Sequence, residues 1–96
     1  MTKQEIEHKY LEWAASHMIY AKLDDMSNSA VSIYEYDDKS TDDTLTGAMA
    51  FAIPKVRSEK LYIFVYAHKT TWQCDEAGDI IPDKIIDEQY EIVSAT

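Results

Sequence analysis

The chain has 96 residues, of which 46% are hydrophobic, so it has the size of one domain with a single core and is too apolar for a disordered segment. Its formal net charge of −9 disfavours direct binding to nucleic acid or to an anionic membrane surface. Cys74 is the single cysteine, which excludes an intrachain disulfide, and no apolar run reaches the ~20 residues needed to cross a bilayer.

The first predicted element is a helix that begins after Thr2 and ends before Asp24. Thr2 and Glu5 have the spacing of a capping box, in which the two residues satisfy free N–H groups of the first turn. Apolar residues then recur at helical spacing: Ile6, Tyr10, Trp13, Ala14 and Ala21, with Leu11, Met18 and Ile19 widening the same face. The polar cluster over 27–29 predicts a turn after the helix.

Three strand-like segments follow the helix. The first covers Ala30–Asp37, and the polar residues 38–43 predict a loop after it. The second, Leu45–Ile53, is predicted to end at Pro54, with 55–59 as a hairpin connection. The third, Lys60–Trp72, places aliphatic side chains on one face and aromatic side chains on the other.

Both faces of the second and third strands are apolar, which is typical of central strands. One face of the second strand carries only small residues, Ala48, Ala50 and Ala52, and we expect the helix to approach there. The aromatic face of the third strand is interpreted as a second core face packed against the tail, with a partner surface as the alternative.

The tail is ambiguous after the loop predicted at 73–79. Ile85, Ile86, Tyr90 and Val93 fit one face of a helix that follows Pro82, whereas 89–95 fit a short strand, which we prefer. These elements predict an α+β fold for residues 1–96, with an N-terminal helix packed on a three- to four-stranded antiparallel sheet in two layers.

The acidic residues are concentrated in two blocks. Residues 24–43 contain seven carboxylates against Lys39, and residues 75–91 contain seven against Lys84. One-sign charge in patches attracts basic partners. It is equally typical of a surface that only keeps a small protein in solution.

No motif for catalysis, a cofactor or a metal stands out. His8 and Glu12 have a chelating spacing on the helix, but no third or fourth ligand has a matching position. The loop over 37–43 is rich in carboxylates yet lacks the central Gly and the terminal Glu of a calcium loop. Acidic neighbours of Cys74 favour its thiol over the reactive thiolate. We therefore expect a non-enzymatic protein without a cofactor or a metal.

The function that the blocks favour is binding to a basic surface of a partner protein, as an inhibitor of a nucleic-acid-binding protein by charge mimicry would do. Carboxylates at alternate strand positions, such as Glu35 and Asp37, lie ~6.6 Å apart, a spacing comparable to successive phosphates. The expected contact residues are Tyr34, Glu35, Tyr36, Asp37, Asp38, Asp42 and Asp43, followed by Asp83, Asp87, Glu88, Tyr90 and Glu91. Because the N-terminus lacks the pattern of a signal peptide, a cytoplasmic protein is expected. An inhibitor of this type is the kind of accessory protein that a phage or mobile element encodes.

Two alternatives stay open at this point. The first is a structural homo-oligomer sealed by the face that carries Tyr62, Phe64 and Tyr66. The second is a small-ligand domain with a pocket between helix and sheet, lined by Tyr10, Trp13, Trp72 and His68.

Overall fold

The fold class predicted from the sequence is confirmed. The computed structural model describes residues 1–28, 30–31, 36–41 and 43–96, and within 30–41 it describes the backbone alone. These ranges contain two helices and five strands: α1 (Lys3–Ser16), α2 (Asp24–Ser27), β1 (Ala30–Val31), β2 (Tyr36–Thr41), β3 (Thr44–Arg57), β4 (Lys60–Cys74) and β5 (Ile80–Ala95).

Three long antiparallel strands, in the order β3-β4-β5, form the body of the sheet. The short strands β1 and β2 both pair with the outer edge of β3, one beside Ala52 and the other beside Ala48. The molecule measures 54 × 21 × 18 Å, whereas a 14-residue helix is only about 21 Å long. Therefore α1 covers about half of one sheet face, and the other half extends beyond it.

The helix begins where the sequence predicts and ends earlier. Thr2 Oγ1 accepts a hydrogen bond from the Glu5 N–H at 3.2 Å, as the capping box requires. The predicted continuation towards Asp24 is wrong: Ser16 Oγ and His17 Nδ1 each lie 2.8 Å from the Trp13 carbonyl oxygen, and Met18 then takes a left-handed φ of 55°. Such contacts compete with the next helical hydrogen bonds and terminate the helix.

Residues 19–28 also differ from the prediction. Ile19 and Ala21 still pack on the core, but they do so from non-helical chain. The turn predicted at 27–29 is replaced, as far as Ser27, by the end of α2. Asp24 and Asp25 lie in the first turn of α2, where carboxylates interact favourably with the helix dipole.

The core lies between α1 and the aromatic face of β4, which is the side opposite to the one expected for the helix. Register places Phe51 and Ile53 of β3 opposite Tyr66 and Phe64 of β4, so these four side chains share a face. They form one buried cluster with residues of α1 and α2: Ile6, Tyr10, Trp13, Ala14 and Met26. The larger aromatic area outweighs the close approach that the alanine face permits.

Strand β3 does not end at Pro54 but continues to Arg57, and the connection is only Ser58–Glu59, with φ angles of 51° and 63°. Proline is tolerated because Ile63, its neighbour on β4, exchanges both backbone hydrogen bonds with Thr96 instead. The Pro54 nitrogen therefore faces the outer edge of the sheet, where no ladder bond is lost.

The remaining predicted boundaries concern the tail and the segment 30–43. The preference for a strand in the tail is confirmed, and β5 is longer than expected. The predicted loop at 38–43 is wrong over 38–41, which belong to β2, and the predicted first strand is divided between β1 and β2. Polar side chains suggested a loop there, but an edge strand tolerates them because one side faces water.

Candidate functional site

Two acidic loops that are far apart in sequence meet at the end of the sheet beyond α1. The β3–β4 pairing continues to Thr44 and Gln73. There the Cys74 N–H donates to the Asp43 carbonyl at 2.7 Å, and Gln73 Nε2 donates to the same oxygen at 3.0 Å. We call this region the acidic end and define it by its exposed carboxylates: Asp43, Asp75, Glu76, Asp79 and Asp83.

The loop between β4 and β5 is held by its own hydrogen bonds. Asp75 Oδ1 accepts from the N–H groups of Ala77 and Asp79, both at 2.9 Å. The Asp75 N–H donates to the Asp79 carbonyl at 2.8 Å, and Gly78 supplies the left-handed φ of 87° that closes the turn. One carboxylate therefore builds the turn, and it presents Glu76 and Asp79 on a fixed backbone.

Three carboxylates of the acidic end, Glu76, Asp79 and Asp83, have no basic neighbour among the described residues. The carboxylates of Glu12, Asp25, Glu88 and Glu91 each lie within 4 Å of a basic nitrogen. The nearby base Lys84 likewise forms no ion pair in the described part of the chain. Repulsion among the three carboxylates opposes folding, so the fold itself gains nothing from them.

The first predicted set of contact residues is only partly described. Tyr34, Glu35 and Asp42 lie outside the described residues. The backbone of Tyr36, Asp37 and Asp38 lies in β2, paired in register with Ala48, Gly47 and Thr46. Asp43 is at the acidic end.

The second predicted set is divided by the structure. Asp83 belongs to the acidic end, and Asp87 accepts a hydrogen bond from Gln89 Nε2 at 2.7 Å. Glu88 lies 3.8 Å from His68 Nε2, and Glu91 forms an ion pair with Lys69 at 3.0 Å. The charge of Glu91 is thus already matched by a lysine of the same chain.

Tyr90 is directed to the helix side of the sheet rather than to a partner. Its ring stacks on His68 with centroids 4.3 Å apart and packs against the core. Burial, and then the negative charges of Glu88 and Glu7, raise the pKa of its hydroxyl above the usual 10.0. The ring of Tyr90 is therefore engaged by residues of the same chain, and its role as a contact residue stays a prediction.

In the part of the chain that the structure describes, the two acidic blocks meet at the acidic end. Along the body of the sheet they occupy opposite edges, because register connects Asp38, Thr46, Thr71 and Asp87 in one row across four strands. Three strand spacings amount to about 14 Å between the outer backbones of such a row. The strand residues of the two blocks are therefore separated by the width of the sheet.

Three carboxylates that the sequence did not single out, Asp75, Glu76 and Asp79, are central to this end. The signal that identifies them is the pairing register, because a two-residue turn after Arg57 places Asp43 beside Cys74. The prediction that 55–59 form a longer connection concealed that register.

The surfaces expected for the two alternatives are not formed as predicted. α1 covers the face of Tyr62, Phe64 and Tyr66, and Phe64 is fully buried. Tyr10 and Trp13 are core residues, and neither lines the two clefts that the described residues form. An open cleft of about 350 Å³ contains His68 but none of the other three predicted lining residues.

Within the described ranges no group of three or more metal-ligating side chains converges. None of the helices described is long and apolar enough to span a membrane. Comparison of the chain with protein-family models, with curated proteins and with solved structures gives no match.

Proposed function

We propose that this chain is a non-catalytic protein-binding module whose acidic end occupies a basic surface of a partner protein. The observation that carries the proposal is the hydrogen bond between Cys74 and Asp43, which joins the ends of both acidic blocks. Glu76, Asp79 and Asp83 add no ion pair among the described residues that would stabilise the module, so their benefit lies in association.

The partner's surface is one that normally holds a nucleic-acid backbone. Duplex DNA carries one charge per ~1.7 Å of its axis, and proteins that bind it hold lysine and arginine side chains in matching positions. Carboxylates on a rigid turn engage the same side chains through charge-assisted hydrogen bonds. The chain then acts in the cytoplasm as an inhibitor, in the manner of accessory proteins that phages and mobile elements encode.

Steering by charge determines the kinetics of this association. A concentrated negative end accelerates encounter with a basic surface, and the acceleration decreases as salt screens the charges. Affinity for the partner should therefore fall steeply between low and physiological ionic strength.

The test is affinity capture from a cell lysate with two variants of equal charge. The first variant neutralises the acidic end through Glu76→Gln, Asp79→Asn and Asp83→Asn. Asp75 is left intact because its carboxylate holds the turn. The control variant neutralises three exposed carboxylates elsewhere: Glu12→Gln, Asp24→Asn and Glu59→Gln.

The expected result is a basic protein that the wild type and the control variant retain and that the acidic-end variant loses. Its retention should decrease as salt is raised. Equal retention by both variants would remove the acidic end as the contact surface, and retention that is insensitive to salt would remove the charge mechanism.

A further inference from the structure

Strand β5 forms one edge of the sheet, and among the described strands only β4 pairs with it. It is 16 residues long, and all of these residues except Ile81 and Tyr90 are exposed. The side of β5 that faces away from β4 presents backbone N–H and C=O groups, and we call this side the β5 edge. A long exposed edge of this kind is a template for pairing with another extended segment.

Two backbone contacts identify the groups that point to the β5 edge. Ile63 of β4 exchanges both backbone hydrogen bonds with Thr96, at 2.9 and 3.0 Å. Because bonding sides alternate along a regular strand, the odd-numbered residues of β4 bond to β5 and the even-numbered residues bond to β3. Glu88 and Tyr90 are paired with even-numbered residues of β4, so their own N–H and C=O groups point to the β5 edge. The Tyr90 N–H confirms this direction, because it donates to the Met1 carbonyl at 2.9 Å.

The contact with Met1 covers the β5 edge at Tyr90. From Ile80 to Glu88, the described residues supply no backbone hydrogen bond to this edge. Backbone groups that are exposed in a strand keep their hydrogen-bonding capacity for an added strand. The position of Met1 shows that another segment can approach this side of β5 to hydrogen-bonding distance.

The side chains of β5 determine which segment can pair there. Four carboxylates stand against one base along the strand, in the order Asp83, Lys84, Asp87, Glu88 and Glu91. Glu91 is matched by Lys69, whereas Asp87 and Glu88 are adjacent and project to opposite faces of the sheet. An added strand therefore meets a carboxylate on each face. Opposite charges placed across from each other stabilise a strand pair, and like charges destabilise it.

This charge disfavours one occupant and favours another. A second copy of β5 would place carboxylates beside carboxylates, so pairing of two such edges is disfavoured. A segment that carries lysine or arginine at alternate positions places bases beside the carboxylates instead. The exposed Ile85 and Ile86 add apolar area for the side chains that lie between those bases.

We propose that the β5 edge binds an extended basic segment of the partner protein as an added strand. The proposal rests on the proposed function, which makes the partner basic, and it adds the form in which part of that partner binds. One partner can reach both surfaces, because β5 begins at Ile80, directly after the acidic loop of residues 75–79. Backbone hydrogen bonds at the β5 edge then supply a contact that depends less on salt than the contact of the acidic end.

The test uses two capped peptides of alternating lysine and valine, one with ordinary backbone amides and one with every backbone amide methylated. Both peptides have the same charge, but only the first can donate backbone hydrogen bonds to the β5 edge. Fluorescence anisotropy with the whole chain should show that the first peptide binds about tenfold or more tightly than the second, because several backbone hydrogen bonds are lost on methylation.

A matched pair of variants tests the same edge from the side of the chain. Glu88→Pro and Glu88→Gln remove the same charge, but only Glu88→Pro also removes an N–H that points to the β5 edge. Proline is tolerated there because the missing N–H lies on the side without a ladder bond to β4. Glu88→Pro should abolish the preference for the unmethylated peptide, whereas Glu88→Gln should weaken both peptides and keep that preference.

Amide hydrogen exchange of the wild-type chain gives a readout that depends on no variant. When the unmethylated peptide binds, exchange of the Glu88 N–H should slow about tenfold or more. The N–H groups of Asp87 and Gln89 pair with odd-numbered residues of β4 and already bond to that strand, so their exchange should change little.

Equal affinity for the two peptides, or a Glu88 N–H that gains no protection, overturns strand addition. Absence of binding by either peptide overturns it as well. Neither result decides the role of the acidic end, which fails only if the capture experiment shows equal retention by its two variants.

Discussion

Asp25 is the carboxylate of the first acidic block that the fold uses for its own stability. Its Oδ2 accepts hydrogen bonds from Tyr10 Oη, from the Lys22 N–H and from Lys55 Nζ, each at 2.9 Å. The side chains of Lys55 and Asp25 are 25% and 18% exposed, so solvent screens their contact only in part. This single oxygen links α1, α2 and β3.

We predict that Asp25→Asn lowers the free energy of unfolding by about 2 kcal/mol at pH 7. A hydrogen bond to a charged group contributes about 1.5–3 kcal/mol, and the three contacts are not additive because asparagine keeps one acceptor. Asp24→Asn is the matched control, since it removes the same charge from an exposed neighbour and should change the free energy of unfolding by less than about 0.5 kcal/mol.

The loss of unfolding free energy caused by Asp25→Asn should depend on pH in a defined direction. Burial by itself raises the pKa of Asp25, but the hydrogen bonds from Lys22, Lys55 and Tyr10 outweigh it, so the pKa lies below the usual 3.8. A depressed pKa in the folded state stabilises the protein above pH ~4, and this stabilisation is lost as pH falls through the folded pKa. Urea unfolding followed by tryptophan fluorescence measures the free energy of unfolding at neutral and at strongly acidic pH. A deficit that is equal at neutral and strongly acidic pH, or equal to that of Asp24→Asn, would refute the reasoning.

Three further substitutions test the packing and the register. Phe64→Ala should lower the free energy of unfolding in urea by about 3–5 kcal/mol because it empties the centre of the core. Val65→Ala, on the opposite face of β4, should lower it by no more than about 1 kcal/mol. Similar losses for the two variants would show that the core lies on the wrong face. Gly47→Val should cost about 1–3 kcal/mol and shift the tryptophan emission, since a Cβ added at Gly47 would lie 3.1 Å from the Trp72 ring. An unchanged spectrum would contradict this proximity. Replacing Ser58–Glu59 by Asn–Gly should raise the midpoint of thermal unfolding and stabilise by about 1 kcal/mol, because both residues have positive φ, and a loss of stability would contradict the two-residue turn.

Local patterns in the sequence predicted the elements that depend on local physics. The cap at Thr2 follows from one hydrogen bond within the first turn, and the alternation along β3 and β4 follows from the opposite directions of successive side chains in a strand. The buried positions of α1 are likewise those with helical spacing. The end of α1 was not predictable in this way, because apolar spacing continues past Ser16 while side-chain contacts with the Trp13 carbonyl end the helix.

Features that depend on pairing between strands required the structure. Pro54 normally marks the end of a central strand, and it is tolerated here only because Ile63 bonds to Thr96, at the far end of the chain. The acidic end likewise depends on pairing between strands. Its two loops meet because the β3–β4 register is uninterrupted from Arg57–Lys60 to Thr44–Gln73, and a single error in the position of the turn removes that inference.

The two halves of the sheet differ in packing, and this difference explains where the paired and the clustered carboxylates lie. Asp25 and Glu91 pair with lysines in the half of the molecule where α1, α2 and the sheet form the core. Glu76, Asp79 and Asp83 lie in the half that α1 does not reach. Water screens mutual repulsion there, so a dense negative charge costs little folding energy, whereas the same charge beside the core would have to be desolvated. Separation of the packed half from the charged half is therefore what allows a chain of 96 residues to carry a concentrated, exposed charge, on which the proposed association depends.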